Sequence, residues 1–385
     1  MKIYINYTKK GEKMNMPIRV LQVGMSSNPG GVESFVMNIY RHINREKLQF
    51  DFLCLKDLPI AHEEEIKDLG GNIYKEIYRA KKKPLMYFCN LDVFFKKHPE
   101  FSAIHHHVNS LSYVEPGRYA KKYGIPKRIL HSHNSNHING KPSLPRKVLE
   151  NVNQHRIDHF ITDYLACSSV AGKWMFGERE FKVINNGIDI SKYAYNPSIR
   201  EQKRLELGLK PEHFVIGVVG RIQYQKNPEF IVEIFKKIYE KEKNAVLLWV
   251  GDGDLRPQME QKIMEYGLKQ NVKLLGIRKD VNEIYQTMDV FLLPSRFEGL
   301  GIVLIEAQAA GLKCFTSAEK VPNEAKITNL VNYISLQKSA DFWAEQILRT
   351  KNDHERKDQT EAIRNAGYDI KTIIKELEKI YLEIK

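Results

Sequence analysis

Short apolar runs alternate with longer amphipathic stretches along this chain, and that alternation constrains its fold more than any other feature. Residues 18–23 form such a run, a helical pattern follows over 31–43, and further runs stand at 50–55, 103–107, 128–133 and 161–167. This rhythm is the signature of strand–helix–strand units building a parallel sheet. A second series starts at 214–220 and continues through 245–250, 272–275, 290–293 and 313–316. Two doubly wound α/β domains are therefore expected. They divide within 185–210, which holds an Asn-Asn-Gly turn, Pro197 and the charged stretch 200–204. The expected layout is a first domain over 16–190, joined by a closing amphipathic helix within 369–385, and a second domain over 191–368. Residues 1–15 are polar and read as a disordered extension.

Composition narrows the choices without making them. A chain of 385 residues that is 42% hydrophobic and 28% charged suits two ordinary cores and is too mixed to be fibrous or disordered. No run approaches the roughly 20 apolar residues of a spanning helix, and the start of the chain lacks the apolar run of a signal peptide, so a cytoplasmic protein is expected. Cys54, Cys89, Cys167 and Cys314 are scattered through apolar runs without metal-ligand or redox spacing, and read as buried thiols. The formal charge of +13 favours anionic partners: a nucleotide diphosphate, an anionic membrane face or nucleic acid. Within 78–88, Arg79 and Lys81 to Lys83 stand among Tyr78, Tyr87 and Phe88, the composition of a segment resting on an anionic bilayer. An ordinary solvated loop entering a helix explains it equally well.

Ligands of open parallel sheets bind beyond the carboxyl ends of the strands, so the loops there carry the functional reading. After the run at 290–293 comes Pro294-Ser295-Arg296-Phe297-Glu298-Gly299-Leu300-Gly301, then a helix holding Glu306. Gly299 and Gly301 let backbone approach a ligand, and a helix starting near Gly301 offers free N–H groups and a positive dipole end to a diphosphate. Glu298 and Glu306, about 8 Å apart along the chain at the helical rise, suit the hydroxyls at opposite ends of one ligand. Glu306 falls among apolar neighbours, where an unpaired charge is costly. The loop after 214–220 supplies Arg221 and Lys226, both able to meet phosphate oxygens, although two solvated cations would read the same way in isolation. Gly30-Gly31, preceded by Asn28-Pro29, opens a helix but lacks dinucleotide spacing, and Gly251-Asp252-Gly253 reads evenly as a tight turn or a wall of a nucleotide site. His105, His106, His107, His131 and His133 cluster at strand ends. Only His105 with His107, and His131 with His133, share a side, without cysteine or acidic partners nearby, so a polar substrate-facing role outranks metal binding, and no metal site is assigned. For His105 and His106 a hydrogen-bonded core position remains open.

Together these residues resemble a known family. The Gly-Gly-Val-Glu turn at 30–33, Asn185-Asn186-Gly187-Ile188-Asp189, Gly220-Arg221 with Lys226-Asn227, Gly251-Asp252-Gly253, and Glu298 with Glu306 are similar to the family-4 retaining glycosyltransferases of the GT-B fold. The likeness runs from Met16 over nearly the whole chain. His131-Ser132-His133-Asn134 and 306–312 are similar to bacterial enzymes of capsular or exopolysaccharide assembly. The resemblance implies two Rossmann-like domains facing a central cleft, with Arg221 and Lys226 on the donor diphosphate, Glu306 on the ribose and Glu298 at the donor sugar. It also implies that backbone N–H groups around Gly299, Leu300 and Gly301 face sugar and phosphates, that Gly251 borders the nucleotide, that Gly30-Gly31 close over the phosphates, and that His133 lies near the anomeric centre. Gly301 departs from the family's pattern, where proline or another residue often stands.

The implied reaction moves a sugar from a nucleotide diphosphate, with uridine as the expected base, to a saccharide or undecaprenyl-linked acceptor, with retention and without metal or cofactor. Contact with the inner face of the membrane is a second option for the basic segment. Two rivals stay in view: a UDP-sugar 2-epimerase on the same fold, and a basic nucleic-acid-binding protein. The second is disfavoured because Arg221 and Lys226 sit in strand-to-helix loops and not in an exposed stripe interleaved with aromatics.

Overall fold

The computed structural model describes residues 6–7, 13–14, 16–27, 30–55, 58–75, 84–137, 141–351 and 355–383. Its contacts divide the chain into two units: Met1–His133, Pro142–Gly187 and Ile370–Lys385 in the first, Asn134–Lys141 and Ile188–Asp369 in the second. Near the start, β1 (Asn6–Tyr7) and β2 (Lys13–Met14) pair antiparallel within the segment expected to be disordered.

The first unit is built on seven parallel strands: β3 (Ile18–Val23), β4 (Leu48–Leu53), β5 (Ile73–Tyr74), β6 (Phe101–Val108), β7 (Lys127–Ser132), β8 (Asp163–Ala166) and β9 (Lys182–Val183). They lie in the order β5-β4-β3-β6-β7-β8-β9. The order reverses at β3, which pairs β4 on one side and β6 on the other, so the loops after β3 and β6 flank the switch point where such sheets take ligands. One face carries Val20, Phe35, Ile39, Phe50 and the closing helix Ile370–Leu382, which buries Ile370, Ile373, Ile374, Leu377, Ile380 and Tyr381 at helical spacing. The other face packs Leu21, Leu53, Leu91, Phe95 and Ile104.

The second unit has six parallel strands: β10 (Phe214–Val219), β11 (Ala245–Val250), β12 (Val272–Gly276), β13 (Val290–Leu293), β14 (Lys313–Ser317) and β15 (Val331–Ile334). Their order, β12-β11-β10-β13-β14-β15, reverses at β10. Every residue of β10, β11 and β13 is buried, which is why these strands read as unbroken apolar runs.

The two doubly wound sheets are as the sequence led one to expect. Strands β5, β9 and β15 were not anticipated, because edge strands of two to four residues leave too short a pattern. Cys54, Cys167 and Cys314 are buried, but Cys89 is exposed. Its helix, Pro84–Lys97, turns Tyr87, Leu91, Phe94 and Phe95 inward instead, which corrects the reading of four buried thiols. Of the basic run at 78–88, residues 78–83 lie outside the described residues. Among the described residues no helix is long and apolar enough to cross a membrane.

Candidate active site

In the second unit the loops after β10 and β13 leave the sheet side by side and are tied together. Arg296 N–H donates to the Gln225 carbonyl at 2.8 Å, Asn227 Nδ2 to the Pro294 carbonyl at 3.2 Å, and Gln225 Nε2 to the Phe297 carbonyl at 3.1 Å. Glycines permit the crowding. A Cβ on Gly220 would lie 2.9 Å from Lys226 Cε, one on Gly251 2.2 Å from the Gly220 carbonyl oxygen, and one on Gly253 2.4 Å from the Ile222 carbonyl oxygen. The Gly-Asp-Gly segment after β11 is thus a backbone-to-backbone buttress for the Arg221 loop.

Glu298 sits at the centre of this arrangement, 5% exposed. Its Oε1 accepts from Lys226 Nζ at 2.7 Å and Ser295 Oγ at 2.6 Å, and its Oε2 from Gln225 Nε2 at 3.2 Å. Lys226, taken from the sequence as a phosphate ligand, therefore neutralises Glu298. Arg221 is half-buried, and its guanidinium makes no hydrogen bond or ion pair among the described residues. A fixed, always charged fork without a protein partner is what an incoming phosphate needs.

Gly301 caps the helix Ile302–Ala309 with φ +86°, a left-handed conformation closed to proline, whose ring holds φ near about −65°. The departure from the family pattern at this position is thus a differently built turn. Leu300 beside it is buried, leaving its backbone as its polar resource. One turn into the helix, Glu306 is enclosed by two hydroxyls: Tyr193 donates to Oε1 at 3.1 Å and Tyr285 to Oε2 at 2.9 Å. Burial pushes its carboxyl up to about 7, against the smaller opposing effect of the tyrosines. Sequence reasoning missed Tyr193 and Tyr285. They belong to no spaced motif, and only the apolar setting of Glu306 hinted that it needed polar partners.

In the first unit Gly30 is extended and Gly31 opens the helix Gly31–His42, with open space where a Cβ on Gly31 would stand. Asn28 and Pro29 lie outside the described residues. One turn along, Phe35 packs against His105, His107, His131 and His133, its ring 5.1 Å from that of His131 and 5.3 Å from that of His133. These four histidines share a face because 105 with 107 and 131 with 133 alternate on β6 and just along β7, where His107 is level with His131. Their rings are chained: Tyr381 hydroxyl to His105 Nδ1 at 2.6 Å, His105 Nε2 to His131 Nδ1 at 3.0 Å, His133 Nε2 to His107 Nδ1 at 2.9 Å, and His107 Nε2 to Gln22 Oε1 at 2.9 Å. Burial holds all four well below the ordinary imidazole range, His133 at about 3, so they are neutral. Nitrogens of His105, His107 and His131 lie within 4.8 Å of one another, but the rings spend most of their capacity on each other. His106 is buried on the opposite face with Nδ1 unpartnered, unlike His105, which is fully bonded.

Residues 199–368 match the family described as glycosyl transferases group 1. The chain is 31% identical to the Bacillus subtilis (strain 168) glycosyltransferase EpsF over 94% of this chain and 96% of the relative. It is 25% identical to the Staphylococcus aureus capsular polysaccharide biosynthesis glycosyltransferase CapH over 95% and 99% of the two chains. An Escherichia coli UDP-Gal:α-D-GlcNAc-diphosphoundecaprenol α-1,3-galactosyltransferase is 31% identical over 52% of this chain and 53% of its own. Among solved structures, Anabaena HepE in complex with UDP and glucose superposes with a TM-score of 0.74 at 19% identity, covering 94% and 98% of the chains. WaaG, a glycosyltransferase of lipopolysaccharide biosynthesis, does so at 0.71 and 17% identity, covering 94% and 100%. The structural likeness shows the GT-B fold, the full-length sequence likeness shows the family, and the chain belongs to the group 1 (family 4) glycosyltransferases.

Proposed function

We propose that this glycosyltransferase takes a UDP-sugar as donor and passes the sugar, with retention, to a saccharide or undecaprenyl-linked acceptor in surface-polysaccharide assembly. The observation that carries the reading is the pairing, at the switch point of the second sheet, of an unpartnered Arg221 with the Lys226–Glu298 ion pair and the tyrosine-held Glu306. Arg221 and Lys226 then meet the diphosphate, while Glu306 accepts from the ribose. The backbone at Gly299, Leu300 and Gly301 faces sugar and phosphates, with Gly251 bordering the nucleotide. Glu298 serves the donor sugar. From the first unit, Gly30 and Gly31 serve the phosphates and His133 the reacting carbon.

Catalysis in this reading is chiefly electrostatic, since cations and a helix start stabilise the negative charge growing on the departing diphosphate. No metal is required, because the protein supplies the countercharge. The acceptor enters on the leaving-group face and gives its proton to a donor phosphate oxygen, so no protein nucleophile is needed. The UDP-bound HepE structures support the donor, and the E. coli relative's name supports an acceptor linked to undecaprenol through a diphosphate.

A thermal-shift panel of nucleoside diphosphates and their sugars tests the donor. UDP at ~100 times its dissociation constant should stabilise the fold by ~2.7 kcal/mol, and the shift should persist in excess chelator. Absence of any shift with UDP, or a shift only after Mg²⁺ or Mn²⁺ is added, would overturn the reading. Donor incubated without acceptor should give no epimerised sugar nucleotide by NMR.

A further inference from the structure

Gln22 is an amide on β3, an interior strand of a sheet covered on both faces, and it is 2% exposed. Burying an amide is costly unless its hydrogen bonds are replaced, and an aliphatic side chain would fill the same space. Its Oε1 accepts from His107 Nε2 at 2.9 Å, and its amide also lies against the Tyr381 hydroxyl.

That bond has a consequence that runs through two rings. An amide oxygen only accepts, so His107 must carry its proton on Nε2. A neutral imidazole has a single N–H, which leaves His107 Nδ1 as an acceptor. The 2.9 Å contact to His133 then requires His133 to donate from Nε2. Its Nδ1 is left unprotonated, buried and without a hydrogen-bond partner. The position of His133 is fixed separately, because its backbone N–H extends the ladder to the Val108 carbonyl at 3.3 Å and its ring packs, tilted, 4.1 Å from that of His131. His131 belongs to the other chain, ending at Tyr381, and makes no hydrogen bond to His133. Gln22 therefore reaches His133 by hydrogen bonds through His107, and what that route sets is the tautomer.

We propose that Gln22 is a positioning residue which, through His107, holds His133 in the Nε2–H tautomer, so that His133 offers a bare Nδ1 to a hydroxyl of the donor sugar or acceptor. The inference rests on the reading of His133 as a substrate-facing residue. A lone pair selects for a proton donor. It would bond a sugar hydroxyl and reject a phosphate oxygen, which separates the role of His133 from that of Arg221 and Lys226.

The test is the two-bond ¹H–¹⁵N spectrum of histidine-labelled full-length protein, with His133→Asn used to assign the resonance, alongside UDP release from UDP-glucose or UDP-galactose. Wild-type His133 should show a pyridine-type Nδ1 and a pyrrole-type Nε2. Gln22→Leu should average the two nitrogens and lower kcat roughly tenfold with the donor KM changed less than about twofold, because only the transition state loses an oriented group. Gln22→Glu, which keeps an acceptor facing His107, should restore both the spectrum and the rate. A proton on Nδ1 in the wild type overturns the proposal whatever the variants do. So does an unchanged His133 spectrum in Gln22→Leu, a changed spectrum with undiminished kcat, or a reversed tautomer in Gln22→Glu. Calorimetry with UDP on the wild type reads the donor site separately, so failure there removes the donor reading and leaves the tautomer result standing.

Discussion

Glu306 is a buried carboxyl whose only described protein partners are hydroxyl groups, and burial lifts it to about 7. Below that pH it is protonated in the folded chain, and above it the carboxylate only accepts hydrogen bonds, as the ribose contact proposed for it requires. UDP affinity should therefore rise between about pH 6 and 8, and Glu306→Gln should flatten that rise. Titration of the UDP phosphate itself appears in both proteins and cancels in the comparison, which calorimetry can make. For stability the sign runs the other way. A folded-state value raised from 4.5 means stability present at low pH that is lost as pH climbs from about 4.5 through about 7. Glu298 has the opposite setting, with a cation and a hydroxyl at one oxygen, and Glu298→Gln should cut turnover at least ~tenfold by breaking the pair that organises Lys226. Arg221→Ala should weaken UDP binding by at least as much. The sequence made Glu298, Glu306, Arg221 and Lys226 legible, because glycines and charges at strand-to-helix loops are conspicuous. It could not show that Lys226 and Glu298 pair with each other, since that depends on two loops 72 residues apart meeting.

At the scale of elements, the central strands were readable because burial on both faces demands unbroken apolar runs, whereas the short edges β5, β9 and β15 carry no such demand. The loop that holds Arg221 shows why glycine position matters more than glycine count. Gly251 has φ +130° and no room for a Cβ, so Gly251→Ala should destabilise by more than the ~1–3 kcal/mol typical of overpacking, strain being added to the clash. Gly253→Ala meets the clash without the left-handed backbone and should cost less. Gly267 has φ +68° but open space, and Gly267→Ala should cost only on the order of 1 kcal/mol. Urea unfolding of the three variants orders them, and an inverted order would contradict the buttress.

At the scale of the molecule, the closing helix Ile370–Leu382 supplies six buried side chains to the first sheet. At about 1.5–3 kcal/mol each for the aliphatic ones, their loss rivals the whole ~5–15 kcal/mol stability of a domain. A chain ending at Asp369 should therefore leave its N-terminal half open to protease while the UDP-dependent melting of the second unit persists. The second unit begins and ends at one spot: Ile188 N–H bonds the Tyr368 carbonyl at 2.9 Å, and Ile188 bridges Asp369. During synthesis the order of completion is thus reversed with respect to the order of translation. The second unit has its full sequence once residue 369 emerges, whereas the unit made first must wait for the helix Ile370–Leu382.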